Sequence, residues 1–234
     1  MGGLLDAVLE GVFRSRELMQ LSALEGKHDG ETAFVIGSGK TLDYYEPAFF
    51  EDKLTIAVNF GWSFKLEWVD YMVTKYHDKA RNWVESGRVG TMVVTRGLRG
   101  HRNLQPLTDE RMIVVDHNEN TVERWDGDWP DEGLVATHSS ITTAMHLAAF
   151  MGVRWIVTVG ADCGTLDGLT NIDGYQPEKI PLQPARFPSF EKQNRIVANI
   201  LRERYGVGVM SMLPFVTANM EGHKFVSEFG SLNT

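Results

Sequence analysis

Apolar residues in this chain fall into short runs separated by stretches of helical periodicity. The runs are Ala33–Ile36, Thr55–Val58, Tyr71–Val73, Thr91–Val94, Met112–Val115, Trp155–Val159 and Val207–Met210, several of them continuous in apolar character. Runs of this kind predict strands covered on both faces rather than strands with one wet side. Between them, apolar spacings of three and four predict helices over Trp62–Glu67, Asp78–Glu85, Ser139–Met151 and Phe190–Arg204. Strands alternating with helices predict an α/β fold, a Rossmann-like, mainly parallel sheet with helices on both faces.

Three segments fall outside that rhythm. Leu4, Leu5, Val8, Leu9, Val12 and Phe13 recur at helical spacing, and their polar neighbours mix acids with arginines. This reads as an amphipathic helix that packs on the domain or on a second subunit, rather than a secretory leader or a membrane-surface anchor. Residues 1–32 are therefore expected to form an N-terminal helix and linker, and 33–234 a single nucleotide-binding domain. The segment from His117 to Gly133 is acidic and carries Trp125 and Trp129. The segment from Cys163 to Pro188 is rich in glycine, proline and aspartate and follows a strand, so it is expected to form a lid near 163–188.

Composition narrows the partners. A chain of 234 residues suits one embellished α/β domain. Its formal net charge of −8 argues against sequence-blind nucleic-acid binding, with the basic stretch Arg96–Arg102 read as a solvated loop. Cys163 is the single cysteine, which excludes an intrachain disulfide and fits a reducing, cytoplasmic setting. No apolar stretch reaches the length of a membrane span.

The chemistry-bearing signals cluster at predicted strand ends and one helix start. Phe34–Leu42 is an apolar strand running into Gly37-Ser38-Gly39, with Lys40 and Thr41 beyond. Such a turn lets backbone approach a ligand, and a following helix would favour a phosphate. It is not a Walker A loop, because Phe34 stands where that motif needs glycine. It is not a dinucleotide fingerprint either, because Leu42 replaces the third glycine. A second strand ends in Gly160-Ala161-Asp162, and Asn59 follows a third. Thr137-His138-Ser139-Ser140 opens a strong helix whose hydroxyls cap it and face an anion site. His138 is a candidate base or phosphate ligand, and the histidines share no metal-ligand spacing.

Taken in order, these pieces resemble the bacterial sialyltransferases of family 42 and their relatives in the domain-115 (MptE-like) superfamily. Val35–Leu42 resembles the family's glycine turn, Ala57-Val58-Asn59 its nucleotide-binding asparagine, and Ser139–Met145 its Thr-Ser-Gly helix start. Gly160-Ala161-Asp162, the tail Tyr205–Pro214 and Ala218-Asn219 follow in the same order. The resemblance implies a GT-A-type sheet with a lid, and transfer of a nonulosonic acid from a CMP donor to an acceptor hydroxyl with no metal cofactor. It implies nucleotide contacts from Gly37, Ser38, Gly39, Thr41, Asn59, Ser139, Ser140 and Gly160, and a phosphate-binding hydroxyl from Tyr175 in the lid. The chain departs from the family at the catalytic histidine, where Ser189 stands. Asp162, His138 and Asp173, together with His77, are the candidates for the chemistry in its place. Two alternatives stay open. One is an MptE-like diphosphokinase using ATP and Mg²⁺ on a pterin-type alcohol, with Lys40, Asp162 and Asp167 serving phosphate and metal. The other is a nucleotide-binding scaffold without turnover. Expected partners are a nucleotide-activated small molecule and a glycan or small-molecule acceptor, with a homo-oligomer compatible with the first helix.

Overall fold

The computed structural model describes residues 19–59, 65–88, 90–99, 111–115, 117–118, 133–135, 137–166, 168–175 and 184–212. Its strands are β1 (Thr32–Ile36), β2 (Leu54–Val58), β3 (Tyr71–Tyr76), β4 (Thr91–Arg99), β5 (Met112–Val115), β6 (His117–Asn118), β7 (Leu134–Val135), β8 (Trp155–Val159) and β9 (Gly208–Met212). Its helices are α1 (His77–Glu85), α2 (Ser140–Phe150) and α3 (Phe187–Tyr205). Seven strands form one sheet in the order β5-β4-β3-β2-β1-β8-β9, and every neighbouring pair is parallel. β6 and β7 form a separate parallel pair. The fold is α/β and Rossmann-like, and the sheet is parallel throughout rather than mainly so.

The two-residue period of a strand explains why both sheet faces are apolar. In β1, Ala33 and Val35 point to one face while Phe34 and Ile36 point to the other. β2 and β8 divide the same way, with Ile56 and Ile156 on the first face and Ala57, Val157 and Val159 on the second. The first face is covered by α2 and α3. The second is covered by α1 through Ala80 and Trp83, and by Leu42, Phe50 and Ile172 from the connecting segments. All ten residues from Ser140 to Ala149 are buried, so α2 is a core helix rather than a surface one. Its small residues Ala144, Ala148 and Ala149 sit within the cluster that joins α2 to the sheet.

Topology fixes where a ligand can sit. From β1 the chain builds outward through β2 and β3, whereas β8 and β9 lie on the other side of β1. The order therefore reverses between β1 and β8. In open parallel sheets the crevice at such a reversal, beyond the carboxyl ends of the strands, is where ligands bind.

Every predicted strand starts within one residue of its observed start, but β3 runs on to Tyr76 and β4 to Arg99, three and five residues past their predicted ends. α3 starts at Phe187, three residues before its predicted start, because Pro188 is compatible with a first helical turn. Lys65–Glu67, the described part of the helix predicted over Trp62–Glu67, is not helical. The N-terminal amphipathic helix, most of the acidic segment, and the tail with Ala218-Asn219 lie outside the described residues. Among the described residues, no helix is long and apolar enough to cross a membrane.

Candidate functional site

A cleft of about 410 Å³ opens at the β1–β8 reversal, within the size range of small-molecule sites (roughly 300–1,000 Å³). Its floor is made of strand ends: Gly37, Ser38 and Gly39 after β1, Asn59 after β2, and Gly160 to Cys163 after β8. Its walls come from the junctions where helices begin. Tyr76 and Lys79 stand at the start of α1, His138, Ser139 and Ser140 at the start of α2, and Arg186, Phe187, Phe190 and Asn194 at the start of α3. Thr170, Asn171 and Tyr175 complete it from the segment after β8. Asn59 and Cys163 have φ of 61° and 48°, and these two positive-φ non-glycine residues both line the cleft.

The glycine turn is closed upon itself. The Gly37 and Gly39 amides donate to the Val159 and Gly160 carbonyls, both at 2.8 Å, so they extend the β1–β8 ladder. A Cβ at Gly37 would strike the Gly160 carbonyl, and one at Gly39 would strike the Asp162 carboxylate. These glycines let two strand ends interlock rather than admit a ligand. Beyond Gly39 the chain forms a 3₁₀ turn, Lys40–Tyr44. Its free amide end is already met by a carboxylate, since Asp162 accepts from the Thr41 amide at 2.9 Å and from Thr41 Oγ1 at 2.5 Å. Thr41 is fully buried and does not line the cleft.

Lys40 is also committed. Its ammonium pairs with Asp43 and with Asp173, each at 2.7 Å, and these hydrogen bonds raise its pKa above the ordinary lysine value against the cost of burial. Burial works to raise the Asp43 carboxyl, but Lys40 and Lys65 hold it below the usual carboxylate range. Asp173 lies outside the cleft with its side chain 77% exposed. Its amide donates to Asp43, while Ile172 N donates to the Ser38 carbonyl at 3.0 Å and Ser38 Oγ to Asn171 Oδ1 at 3.2 Å. The described first half of the expected lid, up to Tyr175, is thus fastened to the glycine turn as a fixed wall. Asp167 and residues 176–183 lie outside the described residues.

The α2 start is different. Ser139 is tied to α3: its amide donates to Gln193 Oε1 at 3.2 Å and its hydroxyl to Asn194 Oδ1 at 2.8 Å. Ser140 is 8% exposed, lines the cleft, and its hydroxyl has no partner among the described residues. His138 lines the cleft and is exposed. His146, deeper in the same helix, accepts from the Val135 amide at 3.0 Å and meets Tyr205 Oη at 3.0 Å. Burial, and then the charge of Arg204, hold it well below the usual histidine pKa.

Of the residues expected to act, Gly37, Ser38, Gly39, Asn59, His138, Ser139, Ser140, Gly160, Asp162 and Tyr175 converge on this one cleft, while Thr41 and Asp173 do not reach it. Lys79, Arg186, Phe187 and Asn194 also line it, and no motif in the sequence marks them. Lys79 falls at the start of a predicted helix, whereas Arg186 and Phe187 fall in the expected lid. Burial pushes the Cys163 thiol up to about 12, aided by Glu191 and Asp162, so it is no thiolate nucleophile. Burial also raises the Tyr175 hydroxyl, an effect partly offset by Ser38. Among the described residues, no three histidine, cysteine or acidic side chains converge on a point that could hold a metal ion. Set beside protein-family models, curated proteins and solved structures, the chain has no match in any of the three.

Proposed function

We propose that the chain is a sialyltransferase-like glycosyltransferase of GT-A type, moving a nonulosonic acid from a CMP donor to an acceptor hydroxyl. The observation that carries this reading is the polarity of the cleft. Lys79, Arg186 and the open start of α2 with its Ser140 hydroxyl line it, and the one acidic side chain that lines it among the described residues, Asp162, accepts hydrogen bonds from Thr41. In a protein of net charge −8, such a cleft selects an anion. The order of sequence pieces shared with the sialyltransferases supplies the choice of CMP.

The reaction needs a proton acceptor near the acceptor hydroxyl. Among the groups lining the cleft, burial raises the Cys163 thiol and the Tyr175 hydroxyl, so both are poor candidates. Asp162 holds Thr41. His138 remains, and it takes the role that the missing family histidine would have filled. The acceptor oxygen then bonds to the anomeric carbon as its proton passes to His138. The bond from that carbon to the donor's phosphate oxygen breaks, and its electron pair leaves on CMP.

Diphosphate transfer from ATP draws less support, because Lys40 is spent on Asp43 and Asp173 and Asp162 on Thr41. A thermal-shift series with CMP, CDP, UDP, GDP and ATP, each with and without Mg²⁺, tests the reading, since a ligand of the folded state raises the midpoint by mass action. CMP or CDP is expected to stabilise without metal. Stabilisation by ATP only with Mg²⁺ would move the assignment to diphosphate transfer. No shift with any nucleotide would remove the enzyme reading.

A further inference from the structure

The cation nearest the glycine turn in sequence, Lys40, points away into an ion-pair network. The cleft draws its buried charge from Lys79, in the first turn of α1 just beyond the carboxyl end of β3. Tyr76 and Lys79, three residues apart across that junction, both line the cleft. Lys79 is 5% exposed, so solvent screens its ammonium poorly and its field reaches into the cleft. The Tyr175 ring lies 5.7 Å from Nζ, and the neighbouring Asp78 carboxylate stands 3.7 Å away with its side chain 34% exposed. Tyr175 and Ser38 both line the cleft.

Resting on the donor assignment above, we propose that Lys79 is the phosphate-binding residue of this cleft, with the donor's phosphate seated between Lys79 and Tyr175. The ammonium and the Tyr175 hydroxyl supply charge and hydrogen-bond donors to phosphate oxygens, which have only acceptors to offer. When the bond to the anomeric carbon breaks, the departing phosphate oxygen gains the electron pair and with it negative charge. A fixed ammonium in a poorly solvated position stabilises that charge as it forms, without rearrangement. Lys79 thereby does for the leaving group what Lys40 would have done had it faced the cleft.

Calorimetric titration of wild type, Lys79→Met, Lys79→Arg and Lys40→Met with inorganic pyrophosphate, CMP and cytidine tests the assignment. Lys79→Met should weaken pyrophosphate and CMP by about tenfold or more, as expected for losing a charged hydrogen-bond donor. Lys79→Arg and Lys40→Met should bind both nearly as wild type does, and cytidine, which has no phosphate, should not distinguish the variants. In the wild type, the Lys79 ammonium resonance should move on adding pyrophosphate while that of Lys40 stays, a readout that needs no variant to fold. Undiminished anion binding by Lys79→Met, no pyrophosphate binding by wild type, or an unmoved Lys79 resonance would overturn the proposal. Pyrophosphate binding that depends on Lys79, with no CMP binding by wild type, would keep the phosphate site and remove the CMP assignment.

Discussion

The floor and the walls of the cleft follow opposite rules. On the floor, the Gly37 and Gly39 amides bond the Val159 and Gly160 carbonyls and Thr41 bonds Asp162, so that two strand ends lock together and little of this backbone is left for a ligand. On the walls, Lys79, His138 and Ser140 stand at helix starts, where the chain turns and side chains face the opening. The difference separates a motif that shapes a site from residues that serve it. Glycines and an aspartate at strand ends set the position of the cleft, and the helix starts set its chemistry.

Substitutions on either side should separate along that line. The largest effect is expected on the floor. Asp162→Ala strands two buried donors of Thr41 and should cost about 3 kcal/mol of stability, measured by denaturant unfolding. A cost under about 1 kcal/mol would mean the floor is not the lock described.

On the wall, His138→Ala should leave the denaturation midpoint unchanged. It should lower turnover on a CMP-linked donor about a hundredfold, equivalent to about 2.7 kcal/mol, while CMP affinity holds. Equal loss of binding and turnover would make His138 a ligand contact instead.

Smaller still is the acid sensitivity carried by His146. Its folded pKa lies well below 6.5, so in mildly acidic solution the unfolded chain binds a proton that the folded one refuses. Stability from this residue is complete above pH 6.5 and declines as pH falls below it, by at most about 1.4 kcal/mol per pH unit. His146→Gln should flatten the fall in unfolding free energy between neutral and acidic pH. A fall as steep as wild type would assign the acid sensitivity to other groups.

The smallest effect is expected at Asp173. Its ion pair with Lys40 is mostly solvated on the aspartate side, so Asp173→Asn should cost less than about 1 kcal/mol and leave ligand affinity alone. Loss of ligand affinity would instead bring Asp173 into the site.

Period and alternation made the sheet legible in the sequence, because strands buried on both faces leave largely apolar runs such as Thr55–Val58 and Trp155–Val159. Strand ends made the location of the site legible as well, since Gly37–Gly39, Asn59 and Gly160–Asp162 all reach one cleft. What these residues do there was not legible. Whether an amide faces a ligand or a neighbouring strand depends on which strands adjoin, and the β1–β8 pairing joins residues more than a hundred positions apart. Lys40 and Lys79 pose the same difficulty. Both are lysines just past a strand, and only the folded chain shows that Asp43 and Asp173 draw one aside while the other lines the cleft. The 3₁₀ turn that carries Lys40 is too short to leave a periodicity of its own.

A crystal structure of the protein with CMP, grown without divalent metal, tests the central claim most directly. The account predicts cytidine in the β1–β8 cleft with its phosphate beside Lys79 and Tyr175, and the Gly37 and Gly39 amides still bonded to the Val159 and Gly160 carbonyls. A phosphate seated on those glycine amides, or CMP bound away from the cleft, would contradict it.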